Sequence, residues 1–371
     1  MRLLCALLLT SVALGAAEAP LTLISPAQDQ VWQRQDKSSG LVEVSGLLAS
    51  GEKSPSIEIR LDGGEWRQLS VTATTGADGQ RRFTGTTLTT AGLHTLEARI
   101  TEGTLPARLS APRRFAVGEV FLVTGQSNSA NHGEGRQQAA SGQAFTVSPK
   151  GEWRPCADPQ PGASGNGGSF LPALGDELHR RLGVPVGFIA CGIGATSVRE
   201  WLPAGISFPN PPSIVSRVRQ TADGNWEADG KAYAMLVTRM KSVPAFRAVL
   251  WHQGESDAKQ KDPTRTLPGE AYAKLLTQLI ARSRLDSGRD APWFVAQVSY
   301  HSPADPGSDD LRVAQAGLWR SGVALAGPDT DALGGPNRDQ GGKGIHFSAQ
   351  GLKAHAQAWA DKVAPWVESR P

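Results

Sequence analysis

A change of hydrophobic period near Gly118 divides the chain. Before it, from Leu21 to about Val117, apolar residues alternate with polar ones, as in Ile57, Ile59, Leu61 and again around Leu96, Ala98 and Ile100. A strand with one buried face requires that pattern, because successive side chains point to opposite sides of a sheet. Asp62-Gly63-Gly64, Gly76 to Gly79 and Ala91-Gly92 punctuate runs rich in Thr, Val and Ile, and no helical period competes with them. This predicts a small all-β, immunoglobulin-like sandwich domain over residues 20–117, ending where Pro112-Arg113-Arg114 leads into Phe115-Ala116-Val117.

After Gly118 apolar strands alternate with helical patterns. Val120–Val123, Val186–Ala190, Ala248–Trp251 and Phe294–Val298 read as buried strands. Ser169–Leu182, Ala232–Lys241, Gly269–Ser283, Leu311–Trp319 and Ser348–Val363 read as helices, with Ser348 placed to cap the last. Such alternation predicts an α/β domain, a parallel sheet with helices on both faces, over residues 118–371. Pro159 to Gly168, rich in Gly and Pro, is expected to be a mobile surface loop.

The first residues carry their own signal. Arg2 precedes an apolar run from Leu3 to Leu14 and then Gly15, Ala16 and Ala17, which predicts a cleavable secretory signal peptide over residues 1–19 and hence a secreted or periplasmic protein. Cleavage after Ala17 is preferred to cleavage after Ala19, because Pro20 sits badly just behind a cut. The run is too short to span a bilayer, and no later segment is long and apolar enough to do so. Cys156 and Cys191 then remain in the mature chain, either as a disulfide or as two buried thiols. A net charge of +3 without a basic patch interleaved with aromatics gives no reason to expect a nucleic-acid partner.

Ser127 stands directly beyond the predicted strand Val120–Val123, in Gly125-Gln126-Ser127-Asn128, where an open parallel sheet presents its ligands. Three further blocks accompany it: Gly194-Ala195-Thr196-Ser197-Val198-Arg199-Glu200-Trp201, Trp251-His252-Gln253-Gly254-Glu255-Ser256-Asp257, and Gly344-Ile345-His346-Phe347. In order and spacing the four blocks resemble the sialate O-acetylesterase and carbohydrate esterase family six branch of the SGNH hydrolases, over roughly residues 118–365. The resemblance implies an SGNH-type, flavodoxin-like sheet and hydrolysis of O-acetyl esters on a carbohydrate without a cofactor.

It also implies roles. Ser127 would be the nucleophile and His346, whose ordinary pKa near 6.5 suits base and then acid work, its proton acceptor. The Ser127 amide, the Gly194 amide and the Gln253 side chain would form the oxyanion hole, with a structural amide tying two loops as the other reading of Gln253. SGNH enzymes commonly carry Asp three residues before the histidine, but that position is Lys343, which cannot accept an imidazole N–H. Glu255 is the preferred acid, as in relatives that draw it from Gln-Gly-Glu. Asp339, beyond a Gly-Gly pair, and Asp257 are the alternatives, and a dyad without an acid stays open. Asn128, Trp201 and Trp251 are candidate substrate contacts, with Trp153, Trp226 and Tyr300 behind them, although Trp at a strand end is more often core. No His, Asp and Glu cluster has metal-ligand spacing, and Gly-x-Ser-x-Gly is missing around Ser127, which argues against an α/β-hydrolase elbow. The competing readings are an esterase for lipid, aryl or thioester acyl groups and a non-catalytic carbohydrate-binding protein.

Overall fold

A computed structural model describes residues 21–48, 56–101 and 107–370. The predicted signal peptide lies outside them. Among the described residues no helix is long and apolar enough to cross a membrane.

From Leu23 to Leu109 the described chain forms strands only. Leu23–Ser25, Ser39–Leu48, Arg81–Thr90 and Val71–Thr75 pair antiparallel in that order as a four-stranded sheet. Along Ser39–Leu48 the alternation seen in the sequence puts Val42 and Val44 inside, facing Phe83, Ile57, Ile59, Leu96 and Phe115. Gln30–Gln33, Ser56–Leu61, Gly92–Thr101 and their short neighbours belong instead to the large sheet.

One strand, Arg113–Gly125, joins the two regions without a linker. Its first half pairs antiparallel with Gly92–Thr101 and parallel with Gln30–Gln33. Its second half lies parallel between Val186–Ala190 and Ala248–His252. The result is one mixed sheet of twelve strands. The sequence placed a boundary at residue 117, but thirteen residues of continuous strand cross it, because Phe115, Ala116 and Val117 are as apolar as Val120 to Val123 and the backbone has no reason to turn.

At that crossing sits Glu119, fully buried. Its carboxylate accepts hydrogen bonds from Arg34 Nε (2.6 Å), Gln33 Nε2 (2.9 Å) and Arg247 Nε (2.7 Å). Removing one member of a buried ion cluster strands the others, which costs about 3–5 kcal/mol. Glu119→Ala is therefore expected to lower the unfolding free energy by that amount in a denaturant titration; a loss below about 1 kcal/mol would mean that solvent reaches both guanidinium groups.

The rest of the chain wraps this sheet. Ala144–Val147, Val186–Ala190, Arg113–Gly125, Ala248–His252, Trp293–Gln297 and Leu325–Asp329 run parallel in that spatial order, with Trp153–Pro155 antiparallel at one edge. Alternate residues of the central strand feed opposite layers. Phe121 and Val123 pack with helices Leu171–Leu182 and Ala349–Glu368, while Val120 and Leu122 share a cluster with Lys231–Lys241, Gly269–Ser287 and Asp309–Arg320. Ser348 caps the last helix by accepting from the Gly351 N–H at 3.1 Å. Cys156 and Cys191 are free and buried. The chain goes outward on one side of the central strand and then crosses to the other, so the switch in strand order falls at the carboxyl end of Arg113–Gly125, the place where such sheets open a crevice.

Candidate active site

Gly125 ends the central strand at φ +128°, and a Cβ there would lie 2.1 Å from the His252 carbonyl oxygen, so only glycine lets the two strand ends approach this closely. Backbone hydrogen bonds stitch three of the four blocks at this level: Gln126 N–H to the His252 carbonyl (3.0 Å), Ile193 N–H to Gly125 (2.9 Å) and Cys191 N–H to Val123 (3.0 Å). The Gln126 side-chain oxygen continues the seam by accepting from the Gly254 (3.3 Å) and Ser256 (3.0 Å) amides. Ser127 opens a short 3-10 turn, Ser127–Ser129, just past that seam. Among the described residues neither its hydroxyl nor its N–H has a hydrogen-bond partner.

Ser127 and His346 line one cavity of about 490 Å³, with Gln126, His132, Ser164, Ile193, Gly194, Ala195, Ile214, Arg217, Ser256 and Ile345. The fourth block reaches it by folding back. Gln340, Gly341 and Gly342 all have positive φ, which reverses the chain between Asp339 and His346. The Asp339 N–H donates to the His346 carbonyl (2.9 Å), and the His346 N–H donates to Asp339 Oδ1 (3.2 Å). A Cβ at Gly344 would fall 1.7 Å from that same Oδ1, so the glycine makes room for the carboxylate. Asp339 Oδ2 then stands 3.6 Å from His346 Nδ1, an ion-pair separation slightly too long for a hydrogen bond. Burial lowers the His346 pKa from its ordinary value, and Asp339 partly restores it.

The other two acids lie elsewhere. Glu255 is buried; one carboxylate oxygen accepts from Asn128 Nδ2 (2.9 Å), the other has no partner among the described residues, and burial pushes its pKa up to about 7. It meets the His346 loop only at one remove, since Asn128 Nδ2 also donates to the Ile345 carbonyl (3.2 Å). Asp257 is buried beneath the Gly194 block, accepting from Ser197 Oγ (2.5 Å), Val198 N–H (2.8 Å) and Gln253 Nε2 (2.7 Å).

Several expected site residues take other places. The Gln253 amide nitrogen donates to the Thr196 carbonyl (3.0 Å) as well as to Asp257, and it lies outside the cavity lining. With Gln126 Oε1 (3.2 Å) as a third acceptor, that amide ties loops together. The Gly194 N–H is spoken for as well, donating to Ser164 Oγ at 2.6 Å. Trp201 and Trp251, read as candidate substrate contacts, are both fully buried, edge to face with ring centroids 5.6 Å apart, and their indole N–H groups donate to Thr196 and Tyr272. Asn128 is buried as a strut between Glu255 and Ile345 and does not line the cavity.

His132, Ser164 and Arg217 line the cavity without having been singled out. The segment from Pro159 to Gly168, expected to be loose, is instead tied to Asn131: Asn131 Nδ2 donates to the Gln160 and Ala163 carbonyls, the Gln160 N–H donates to Asn131 Oδ1 (2.6 Å), and the Gly167 N–H to the Asn131 carbonyl (2.7 Å). The signal was present in its glycines and in those at Gly133 and Gly135, where bridges Asn131 to Gly165 and Gly133 to Gly168 bring the two stretches together.

The family model for "Carbohydrate esterase, sialic acid-specific acetylesterase" matches residues 117–364. Among solved structures, a carbohydrate acetylesterase from Xanthomonas citri is 19% identical, covering 93% of this chain and 76% of its own, and superposes with a TM-score of 0.53, which shows a shared fold. A carbohydrate esterase family 2 enzyme with a carbohydrate-binding domain from Corynascus thermopiles (Myceliophthora fergusii) is 14% identical over 88% of this chain and 93% of its own, at a TM-score of 0.37. None of the curated proteins matches significantly. With two thirds of its length matched, the chain belongs to the sialic acid-specific acetylesterase family of carbohydrate esterases and is a carboxylic ester hydrolase.

Proposed function

We propose that the protein removes acetyl groups from a carbohydrate through an acetyl-Ser127 intermediate, with His346 as base and Asp339 as the carboxylate that orients it. The observation that carries this reading is the common cavity of Ser127 and His346, with Asp339 on the Nδ1 side of the ring, which leaves Nε2 for the nucleophile. Ser127 Oγ attacks the ester carbonyl while its proton passes to His346 Nε2. The imidazolium then gives that proton to the departing sugar oxygen. Water, deprotonated by the same nitrogen, releases acetate and restores Ser127. The free Ser127 amide supports a role in holding the oxyanion. Asp339 takes precedence over Glu255 because its carboxylate faces the imidazole, whereas that of Glu255 faces Asn128.

On the same reading the strands before residue 118 are an immunoglobulin-like module fused to an SGNH-type catalytic domain, and the N-terminal signal peptide is removed on export. The test is acetate release from acetylated xylan, pectin, sialic acid and peptidoglycan fragments, set against longer-chain aryl esters. Release from at least one acetylated glycan at a kcat/KM well above that on butyryl or longer aryl esters is expected. The opposite order would make this an esterase of another acyl class.

A further inference from the structure

The cavity that Ser127 lines also holds a second serine and histidine in contact. Ser164 Oγ lies 3.1 Å from His132 Nε2 and accepts the Gly194 N–H at 2.6 Å. The residue is held on both sides by its backbone, its N–H donating to Gly192 and its carbonyl accepting from Asn131, each at 2.9 Å. The His132 ring stacks on His346 with centroids 5.4 Å apart. Burial and the neighbouring His346 both lower the pKa of His132, so a second imidazolium beside the first is disfavoured.

A hydroxyl has two acceptor positions and one donor. In the Nε2–H form of His132, Gly194 and His132 fill both acceptor positions of Ser164, and its O–H is the one group left to point into the cavity. We infer that Ser164 supplies the second hydrogen-bond donor to the oxyanion, standing in for the Gly194 amide that it covers. This rests on Ser127 being the nucleophile. When the Ser127 oxygen bonds to the carbonyl carbon, the C=O electron pair moves onto oxygen. The Ser164 O–H then donates a hydrogen bond to that oxygen without giving up its proton, and its strength is raised by the two bonds that the hydroxyl accepts.

Hydrolysis of 4-nitrophenyl acetate and phosphonylation of Ser127 by a 4-nitrophenyl alkylphosphonate test the inference, because both build negative charge on one oxygen at the same place. Ser164→Ala is expected to lower kcat roughly 100-fold, with KM changed far less, and to slow phosphonylation in parallel. Ser164→Cys, which keeps the shape but offers a weak S–H donor, is expected to lose at least about tenfold, and it decides the matter should the alanine variant not fold. Wild-type kcat in either folded variant, or faster turnover because the Gly194 amide has been uncovered, would overturn the inference. Ser127→Ala run alongside separates the two levels: if it too keeps full activity, the nucleophile assignment fails, whereas its silence beside an active Ser164 variant removes Ser164 alone.

Discussion

Ser127→Ala is expected to reduce acetate release by roughly 10⁵–10⁶-fold, the range seen when a serine hydrolase loses the atom that forms its covalent intermediate. Neither the cavity nor the donors around the carbonyl disappear in that variant, so a residue of catalysis over water should survive. Stability should hardly change. The hydroxyl has no hydrogen-bond partner among the described residues, so its removal leaves none of them unsatisfied, and a shift within about 0.5 kcal/mol is expected. The two measurements belong together: lost activity with an unchanged unfolding midpoint points to chemistry, whereas lost activity with a large destabilisation points to the turn that carries residue 127. Denaturing mass spectrometry after mixing with an activated acetyl ester should find the adduct on the wild-type chain and not on the variant. Equal acetate release by both proteins would return the binding-protein reading to first place.

Much of this arrangement was legible in the sequence, for a specific reason. Fully buried parallel strands are short apolar runs, and Val186–Ala190 and Ala248–His252 stand out because no polar residue interrupts them. The reactive blocks follow those runs directly, so locating the strands also located Ser127, Gly194 and the Gln253 segment at one edge of a sheet. Hidden were contacts that depend on how loops fold across one another. His132 and Ser164 are 32 positions apart in polar, glycine-rich stretches without period, and what unites them is the fold of the loops, through bridges to Gly165 and Gly168 and the hydrogen bonds of Asn131. The Leu325–Asp329 strand escaped because its residues, Gly327 and Pro328 among them, carry no alternation. The tryptophans misled for the converse reason: Trp201 and Trp251 neighbour reactive residues in sequence, but Trp201 closes a 3-10 turn, Trp251 lies on a strand buried on both faces, and both turn into the core.

The choice between Asp339 and Glu255 is the sharper test of the site. Asp339→Asn is expected to lower kcat by about 10⁴-fold, as when other serine hydrolases lose the carboxylate behind their histidine. Glu255→Gln should cost less than about tenfold, because an amide oxygen can still accept from Asn128 and keep the strut to Ile345. The pH profile distinguishes orientation from mere packing. Neutral His346 is the active form, and burial holds its pKa below 6.5, so kcat/KM should stay high somewhat below that pH and fall once the imidazole protonates. Asp339 favours the imidazolium; without it the pKa drops further, and the acidic limb of Asp339→Asn should move to lower pH even as the maximum rate collapses. Glu255→Gln should leave that limb in place. A larger loss in Glu255→Gln, with the limb shifting there and not in Asp339→Asn, would transfer the role to Glu255 and require the His346 ring to turn away from the carboxylate it now faces.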